Sequence, residues 1–292
     1  LFGGNDFQPE ECADFGPKRF SDETWIYSLE YENWVRLTTS EGPSPRGRHE
    51  MVFDSKRNRV LLFGGRYRPE DASPFDRYDL YNDLWAFNVN TDRWVQLETT
   101  GDGPSPRTNS AMVYDSVNDQ LVVFGGSIAR TGTEFLPLAD TYILDLEYRV
   151  WRRIESEGPV RRLFHRLVFL EGRNQILLYG GGGANAFTGP FISDVWILDL
   201  GSQSWIQAWA PRDSRGPFAR INPALVYDKE AEQVLMFAGH DDTAVGHRND
   251  VWHFDLNTNT WTEVKAGDTG AGEGCSRFCS CDPNFVDVDI ES

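Results

Sequence analysis

Two aromatic residues nine positions apart recur five times in this chain, and this repeat constrains the fold more than any other feature of the sequence. The first residue of each pair is Trp or Tyr, and the second is always Trp. The pairs are Trp25 with Trp34, Trp85 with Trp94, Tyr142 with Trp151, Trp196 with Trp205, and Trp252 with Trp261. Because such periodic self-similarity is typical of arrays of supersecondary units, we expect five copies of one structural unit.

Three further elements recur with each aromatic pair. An apolar run ends in two small residues, which are Gly3-Gly4, Gly64-Gly65, Gly125-Gly126, Gly180-Gly181 and Ala238-Gly239. An acidic residue stands shortly before the first aromatic: Asp22, Asp83, Asp140, Asp194 or Asp250. A Gly-x-x-x-Arg element precedes the apolar run in the last four units and ends at Arg46, Arg107, Arg162 and Arg220. The unit is therefore defined by several elements in a fixed order.

Each unit contains four extended segments. The second segment is the apolar run, whose continuous hydrophobic character fits a strand that is buried on both faces. Pro and Gly interrupt the chain too often for long helices. Since a sheet that is apolar on both faces cannot stand alone, the sequence predicts an all-β protein whose units stack face to face around an axis.

Charge and hydropathy exclude several classes of function. The chain has 28 Lys and Arg against 45 Asp and Glu, a formal net charge of −17. Sequence-general nucleic-acid binding needs the opposite sign, so we expect no nucleic-acid partner. The longest apolar run, Val234 to Ala238, is far shorter than the roughly 20 residues that a helix needs to cross a bilayer. We therefore expect no membrane span.

The apolar run, the glycine doublet and the two spaced aromatics, in that order, resemble the kelch repeat family over about residues 1–265. The resemblance implies a β-propeller of four-stranded antiparallel blades. We expect repeats at about 1–40, 41–98, 99–155, 156–210 and 211–265, followed by a cysteine-containing tail, 266–292, with a partial first strand. The ring is five-bladed if it closes on itself. Alternatively, the chain belongs to a longer propeller, because kelch rings more often have six or seven blades.

Residues that recur in every unit fit a structural role. These are Gly64, Gly65, Trp85, Trp94, Gly125, Gly126, Tyr142, Trp151, Gly180, Gly181, Trp196, Trp205, Trp252 and Trp261. The repeat arginines, Arg46, Arg107, Arg162 and Arg220, allow two interpretations. Either they form a basic ring that binds an anion at the channel mouth, or each pairs with a repeat carboxylate and joins blades.

The loops that follow the glycine doublets are long and differ completely in sequence, as expected for a binding surface on a fixed scaffold. Arg66, Tyr67 and Arg68 occur in only one of these loops, so we predict that they bind a ligand. His49 and His165 follow a repeat arginine and are predicted to pack in the first strand. His240 and His247 share one loop, but their spacing matches no known metal site, so we expect neither a metal nor a cofactor.

The four cysteines are Cys12, Cys275, Cys279 and Cys281. Three lie in the tail and Cys12 lies in the first loop. We expect these four cysteines to form disulfides; the alternatives are free thiols or a metal site. Disulfides imply an oxidising compartment, so an extracellular or periplasmic location is favoured.

The loops differ in sequence, and the sequence shows no recognisable arrangement of catalytic residues. These two features predict a non-catalytic module that recognises a protein, peptide or glycan. The alternative is a kelch-propeller enzyme acting on a sugar, either galactose-oxidase-like or sialic-acid-epimerase-like. The copper site of the former is poorly supported, because the second to fifth repeats contain no cysteine. A third hypothesis is a structural subunit of a larger surface assembly.

Overall fold

The computed structural model describes residues 1–6, 19–69, 77–131, 134–186, 188–211, 216–242 and 246–267. Within these ranges the protein is a β-propeller with four complete blades and a partial first blade, as the sequence predicts. One 3-10 turn, Glu171–Arg173, interrupts the strands. Among the same residues, no apolar helix is long enough to span a membrane. All four cysteines and the predicted tail strand lie outside the described residues.

The strands are numbered in chain order. Blade 1 has β1 (Asn5–Asp6), β2 (Arg19–Phe20), β3 (Thr24–Ser28) and β4 (Asn33–Leu37). Blade 2 has β5 (Glu50–Asp54), β6 (Arg59–Phe63), β7 (Arg66–Tyr67), β8 (Asp79–Leu80), β9 (Leu84–Asn88) and β10 (Arg93–Gln96). Blade 3 has β11 (Thr100–Gly101), β12 (Ala111–Asp115), β13 (Gln120–Phe124), β14 (Thr141–Asp145) and β15 (Val150–Ile154). Blade 4 has β16 (Arg166–Leu170), β17 (Gln175–Tyr179), β18 (Val195–Asp199) and β19 (Ser204–Trp209). Blade 5 has β20 (Arg220–Ile221), β21 (Ala224–Asp228), β22 (Gln233–Asp241), β23 (His247–Asp255) and β24 (Thr260–Lys265).

Each complete blade is an antiparallel sheet whose main strands follow one another in chain order. The register is regular: in blade 3, Val113 faces Val122, which faces Ile143. The short β11 adds to blade 3 in parallel with β15, and β20 adds to blade 5 beside β22. The main sheet of blade 1 is a two-stranded hairpin, β3 with β4, which Phe2 joins through a single bridge to Thr24, while β1 and β2 pair with each other.

The hydrophobic core lies between blades. One buried cluster joins Leu61 and Phe63 of blade 2 to Trp151 of blade 3, and the next joins Phe124 of blade 3 to Trp205 of blade 4. Burying both sheet faces in this way is the packing that the apolar second strands predict, and it makes each blade depend on its neighbours.

The glycine doublets allow this close packing. Gly64 has φ +69, and a Cβ on it would lie 2.9 Å from the carbonyl oxygen of Arg107 in the next blade. Gly125 has φ +60, and a Cβ there would lie 2.7 Å from the carbonyl oxygen of Arg162. A side chain at either position is therefore excluded both by the backbone conformation and by the following blade.

The innermost strands, β5, β12, β16 and β21, surround the axis in that order. Backbone hydrogen bonds join blades at the mouth of the channel: Asn109 N–H donates to the Arg48 carbonyl at 3.2 Å, Phe164 to Asn109 at 3.2 Å, and Asn222 to Phe164 at 2.8 Å. Residues two positions after the repeat arginines therefore meet at the axis.

Candidate ligand-binding face

The repeat arginines are buried, and each donates several hydrogen bonds within its own blade. Arg107 donates two bonds to Asp140, at 2.7 and 2.9 Å, and one to the Gly125 carbonyl at 3.0 Å. Its remaining two donors bond the carbonyl and hydroxyl of Ser105. All five N–H groups are thus used within one blade, and Arg46 bonds Asp83, Gly64 and Ser44 in the same pattern.

The backbone of each repeat arginine contacts the preceding blade instead. The Arg107 carbonyl accepts from the Gly65 N–H at 3.0 Å, and the Arg107 N–H donates to the Tyr81 carbonyl at 3.0 Å. Arg162 accepts from Gly126 at 2.9 Å. Each repeat arginine therefore connects two blades, by its side chain to one and by its backbone to the other.

This geometry favours the structural interpretation of Arg46, Arg107, Arg162 and Arg220. Their side chains are 0–1% exposed, and each bonds both oxygens of an aspartate. The guanidinium groups of these four residues are directed at carboxylates and carbonyls of their own blades, and the anion-binding ring stays an untested prediction.

The acidic partner in blade 1 is Glu23 rather than Asp22. Glu23 accepts a hydrogen bond from the Trp25 indole at 3.0 Å, as Asp83 does from Trp85 at 2.7 Å. The sequence pattern is therefore an acidic residue two positions before the aromatic. The prediction of Asp22 for this position is wrong by one residue.

The structure places Arg66 and Arg68 around one buried tyrosine. The Cζ atom of Arg66 lies 3.9 Å from the centroid of the Tyr78 ring, and that of Arg68 lies 4.6 Å from it. A backbone bridge between Arg66 and Gly47 holds this loop against the start of blade 2. Tyr67 is half-buried, with its ring 5.9 Å from that of Phe20.

A third arginine, Arg48, is electrostatically coupled to this pair, and we call Arg48, Arg66 and Arg68 the basic cluster. Burial, followed by repulsion from Arg48 and Arg68, lowers the pKa of Arg66 to about 10. Burial also lowers the pKa of Arg48. Among the described residues no carboxylate forms an ion pair with Arg66, and its buried Nε has no hydrogen-bond partner. In a protein of net charge −17, this is a local concentration of positive charge.

Arg48 also borders a cavity of about 430 Å³ at the channel mouth. The walls include Asn109, Phe164 and Asn222, which occupy the same repeat position as Arg48 in the next three blades. The cavity is thus lined by residues at equivalent repeat positions whose side chains differ between blades. The repeat arginine two positions earlier, in contrast, is the same in each of these blades.

Glu50 and Arg166 complete the cavity from opposite blades. A nitrogen of Arg166 lies 3.6 Å from a Glu50 oxygen. Burial raises the pKa of Glu50 to about 7, against the opposing effect of Arg166. The Glu50 carboxyl therefore changes protonation near neutral pH.

The loop that contacts Tyr78 carries two exposed apolar residues. Ile128 and Leu136 are joined by a backbone hydrogen bond of 3.3 Å and remain 39% and 52% exposed. Arg130, on the same loop, donates to the Tyr78 carbonyl at 2.8 Å. This loop therefore rests on the tyrosine that carries Arg66 and Arg68.

The histidines have other environments. Burial, followed by the charge of Arg46, lowers the pKa of His49 to about 4, and burial lowers that of His165 well below its usual value. The His240 and His247 rings lie 4.8 Å apart. Within the part of the chain that the structure describes, no three His, Cys, Asp or Glu residues gather in a metal-binding group.

Sequence reasoning missed Arg48, Tyr78, Glu50 and Arg166. Aligning the repeats on the arginine would have shown a charged residue at position 48 where the other units have Asn or Phe. The pairing of Glu50 with Arg166 joins blades 2 and 4, and no sequence pattern near either residue predicts it. Loop divergence alone therefore pointed to Arg66 and Arg68 but not to the residues that surround them.

Comparison with known proteins agrees with this architecture. A family model described as the KLHDC2/KLHL20/DRC7 Kelch-repeats domain matches residues 59–281. The chain is 25% identical over 300 residues to Mei4-dependent protein 6 of Schizosaccharomyces pombe, covering 95% of this chain and 40% of that protein. It is 25% identical over 255 residues to the host cell factor homolog hcf-1 of Caenorhabditis elegans, covering 82% and 30%. It is 27% identical over 277 residues to Kelch domain-containing protein 10 of Rattus norvegicus, covering 91% and 62%.

The chain therefore spans less than two thirds of the length of these relatives. Among solved structures, that titled "Structure of YjhT" superimposes with a TM-score of 0.64 at 15% identity, covering 90% of this chain and 79% of that one. This likeness shows the fold alone. With a family model covering most of its length and the repeat geometry in every complete blade, the chain belongs to the Kelch-repeat family.

Proposed function

We propose that this protein is a non-catalytic interaction module that binds a protein or peptide through the loop face, with an acidic side chain of the ligand held by the basic cluster. The observation that carries the proposal is the buried Arg66 guanidinium, which has no carboxylate partner among the described residues. A buried charge without a counter-ion is costly, and a bound carboxylate removes that cost.

The arrangement of the cluster supports this function physically. Stacking on Tyr78 holds the planes of Arg66 and Arg68, so fewer rotamers are lost when a ligand binds. Hydrogen bonds to charged groups contribute about 1.5 to 3 kcal/mol each. Two such bonds to one carboxylate are therefore sufficient to select an acidic residue from a peptide.

The adjoining apolar pair favours a polypeptide over a free anion. Ile128 and Leu136 offer exposed apolar surface on the loop that contacts Tyr78, which a small anion cannot cover. An acidic residue flanked by a bulky apolar residue would contact both areas. Interfaces typically combine an apolar centre with such oriented polar contacts.

The test uses the purified 292-residue chain and a panel of labelled peptides that vary in acidic and apolar content. Binding is measured by fluorescence anisotropy at low and high salt. We expect acidic–apolar peptides to bind most tightly, and Arg68→Glu to abolish their binding. The matched control is Arg93→Glu, which makes the same charge change on the exposed β10. Equal affinities for both variants would contradict the proposal.

A second candidate function rests on Glu50. A carboxyl with a pKa near neutrality, facing a cavity of about 430 Å³, is suited to proton transfer on a small substrate. This is the basis for retaining a sugar-directed enzyme as the alternative. Its test is to incubate the protein with a panel of free sugars and compare proton exchange and anomer interconversion with those of Glu50→Gln. Turnover that is lost in the variant would support it.

A further inference from the structure

The hairpin of β22 and β23 in blade 5 continues as sheet beyond the doublet, where the other complete blades have loops. Each of its strands has nine residues, whereas the second and third strands of blades 2, 3 and 4 have five. After a register shift between Phe237 and Gly239, the two strands pair again, up to His240 opposite His247. The ladder of the sheet therefore fixes the positions of both histidines.

His240 and His247 form a close cross-strand pair. The Asp241 N–H donates to the Gly246 carbonyl at 2.7 Å, which makes the two histidines a non-hydrogen-bonded pair of the antiparallel ladder. In such a pair, both side chains lie on the same side of the sheet and approach more closely than in a hydrogen-bonded pair. The two ring centroids accordingly lie 4.8 Å apart. Two imidazoles are thus held together on one face of the hairpin.

One nitrogen of this pair lacks a partner. The Nδ1 atom of His240 is buried and has no hydrogen-bond partner among the described residues. Gly246 lies beside it, because a Cβ on this glycine would be 3.5 Å from that nitrogen. The Phe191 ring, with its centroid 5.9 Å from that of His240, offers no polar atom. A buried polar atom without a partner is unfavourable, and a cation that accepts its lone pair would remove this cost.

The charges around the pair favour a cation over an anion. The Asp241 carboxylate accepts a hydrogen bond from the Arg248 guanidinium, so these two charges offset each other. The Asp242 carboxylate accepts from the Phe191 N–H at 3.1 Å. Both carboxylates interact electrostatically with His240. Among these three charged side chains, one net negative charge therefore remains beside the imidazoles.

We propose that His240 and His247 form a two-histidine site for a divalent transition-metal ion such as Zn²⁺, Ni²⁺ or Cu²⁺. Imidazole is a common ligand of these ions, whereas Ca²⁺ and Mg²⁺ require several oxygen ligands. Two nitrogens that each lie about 2.0 to 2.1 Å from one metal ion are roughly 3 to 3.5 Å apart. Rings whose centroids are 4.8 Å apart reach this separation by rotation of the side chains. Water or a side chain of a bound ligand fills the other coordination positions.

The spacing of the two histidines along the chain does not predict this site, and from the sequence we expect no metal there. The residues meet only through the register of β22 with β23. Within the described ranges, no third His, Cys, Asp or Glu joins them in a metal-binding group. The protein therefore supplies two ligands, and we expect an exchangeable ion rather than a permanently bound one.

The test titrates Ni²⁺ into the purified 292-residue chain and follows the ring proton signals of the histidines by NMR. Ni²⁺ is paramagnetic, so it shifts or broadens the signals of the rings that bind it. We expect the signals of His240 and His247 to respond at lower Ni²⁺ concentrations than that of His253. His247→Gln should weaken binding by about tenfold or more, because losing a direct ligand costs at least as much as losing the partner of one. The matched control is His253→Gln, on the same strand, which should keep the native affinity.

The exposed His247 is the deciding position, because its replacement leaves the fold intact. His240→Gln provides a second variant, and circular dichroism shows whether this half-buried position tolerates the change. Any Ni²⁺ bound by the cysteines is common to all variants and cancels in the comparison. Equal affinities of the native chain and His247→Gln would overturn the proposal, as would a response confined to the other histidines. Neither result depends on peptide binding by the basic cluster.

Discussion

Arg107 and Asp140 form a buried bidentate ion pair, with N–O distances of 2.7 and 2.9 Å, at the place where blade 3 meets blade 2. The Arg107 backbone bonds Gly65 and Tyr81 of blade 2 at 3.0 Å each. One residue thus fixes the edge of its own sheet and the position of the preceding sheet. This double role explains why an arginine recurs at this position in each complete blade.

Replacing Arg107 by Ala should destabilise the fold by about 3 to 5 kcal/mol, because it leaves the Asp140 carboxylate without its partner. Arg107→Lys should recover little of this loss, since an ammonium cannot form the bidentate contact. Urea unfolding followed by tryptophan fluorescence measures both effects. Arg93→Ala, on the exposed outer strand β10, should change stability by less than about 0.5 kcal/mol. Equal losses at Arg107 and Arg93 would refute the role of the pair.

Two substitutions in the doublets should change the stability of the fold in opposite directions. Gly125→Ala places a Cβ 2.7 Å from the Arg162 carbonyl oxygen at φ +60, so we expect a loss of more than about 1 kcal/mol. Ala238→Gly relieves a positive φ of +58 and should stabilise by roughly 0.5 to 1 kcal/mol. Thermal unfolding of the two variants measures the difference, and a shift of the same sign in both would be inconsistent with the geometry.

The fourth-strand tryptophans should differ strongly in importance. Trp205 is 7% exposed and donates to the Thr141 hydroxyl at 3.0 Å. Its replacement by Ala should cost about 3 to 5 kcal/mol. Trp34 is 55% exposed, so in the 292-residue chain Trp34→Ala should cost less than about 1 kcal/mol. The midpoints of denaturant unfolding, compared at equal m-values, measure the loss of stability in each variant.

Glu50 should make stability pH-dependent. Its pKa is raised from 4.5 to about 7 by burial, so between these values the folded state binds more protons than the unfolded state. This contribution to stability is present at pH 4 and is lost as the pH rises towards 7. Glu50→Gln should therefore gain stability relative to the native chain, on the order of 3 kcal/mol at pH 8, with no gain at pH 4. A constant difference at both pH values would show that burial does not affect the protonation of Glu50.

Much of the fold followed from the sequence because its determinants are local and repeated. The doublet Gly64-Gly65, the aromatics Trp85 and Trp94, and the turn residues between them each restrict the backbone over a few positions. Five concordant copies then compensate for departures such as Tyr142 and Ala238. The misplacement of the acidic residue at Asp22 shows the limit, because only the hydrogen bond to the Trp25 indole distinguishes Glu23 from its neighbour.

The candidate site was less accessible to sequence reasoning because its residues come from different blades. Arg66 and Arg68 stood out as unique to one loop, but their position on Tyr78 depends on how that loop folds back. The proximity of Glu50 to Arg166 depends on the geometry around the axis. Periodicity predicts the residues that the repeats share, whereas this site is formed by residues that differ from one repeat to the next.

The most direct test of the proposed function compares the stability and ligand affinity of Arg66→Met. Arg66 is 6% exposed with a lowered pKa, so replacing it by an apolar side chain of similar length should leave stability unchanged or raise it. We predict that the same variant loses at least tenfold in affinity for the best acidic–apolar peptide, as expected when one charge-assisted bond of about 1.5 kcal/mol or more is removed. A folded Arg66→Met protein that binds this peptide as tightly as the native chain would contradict the account.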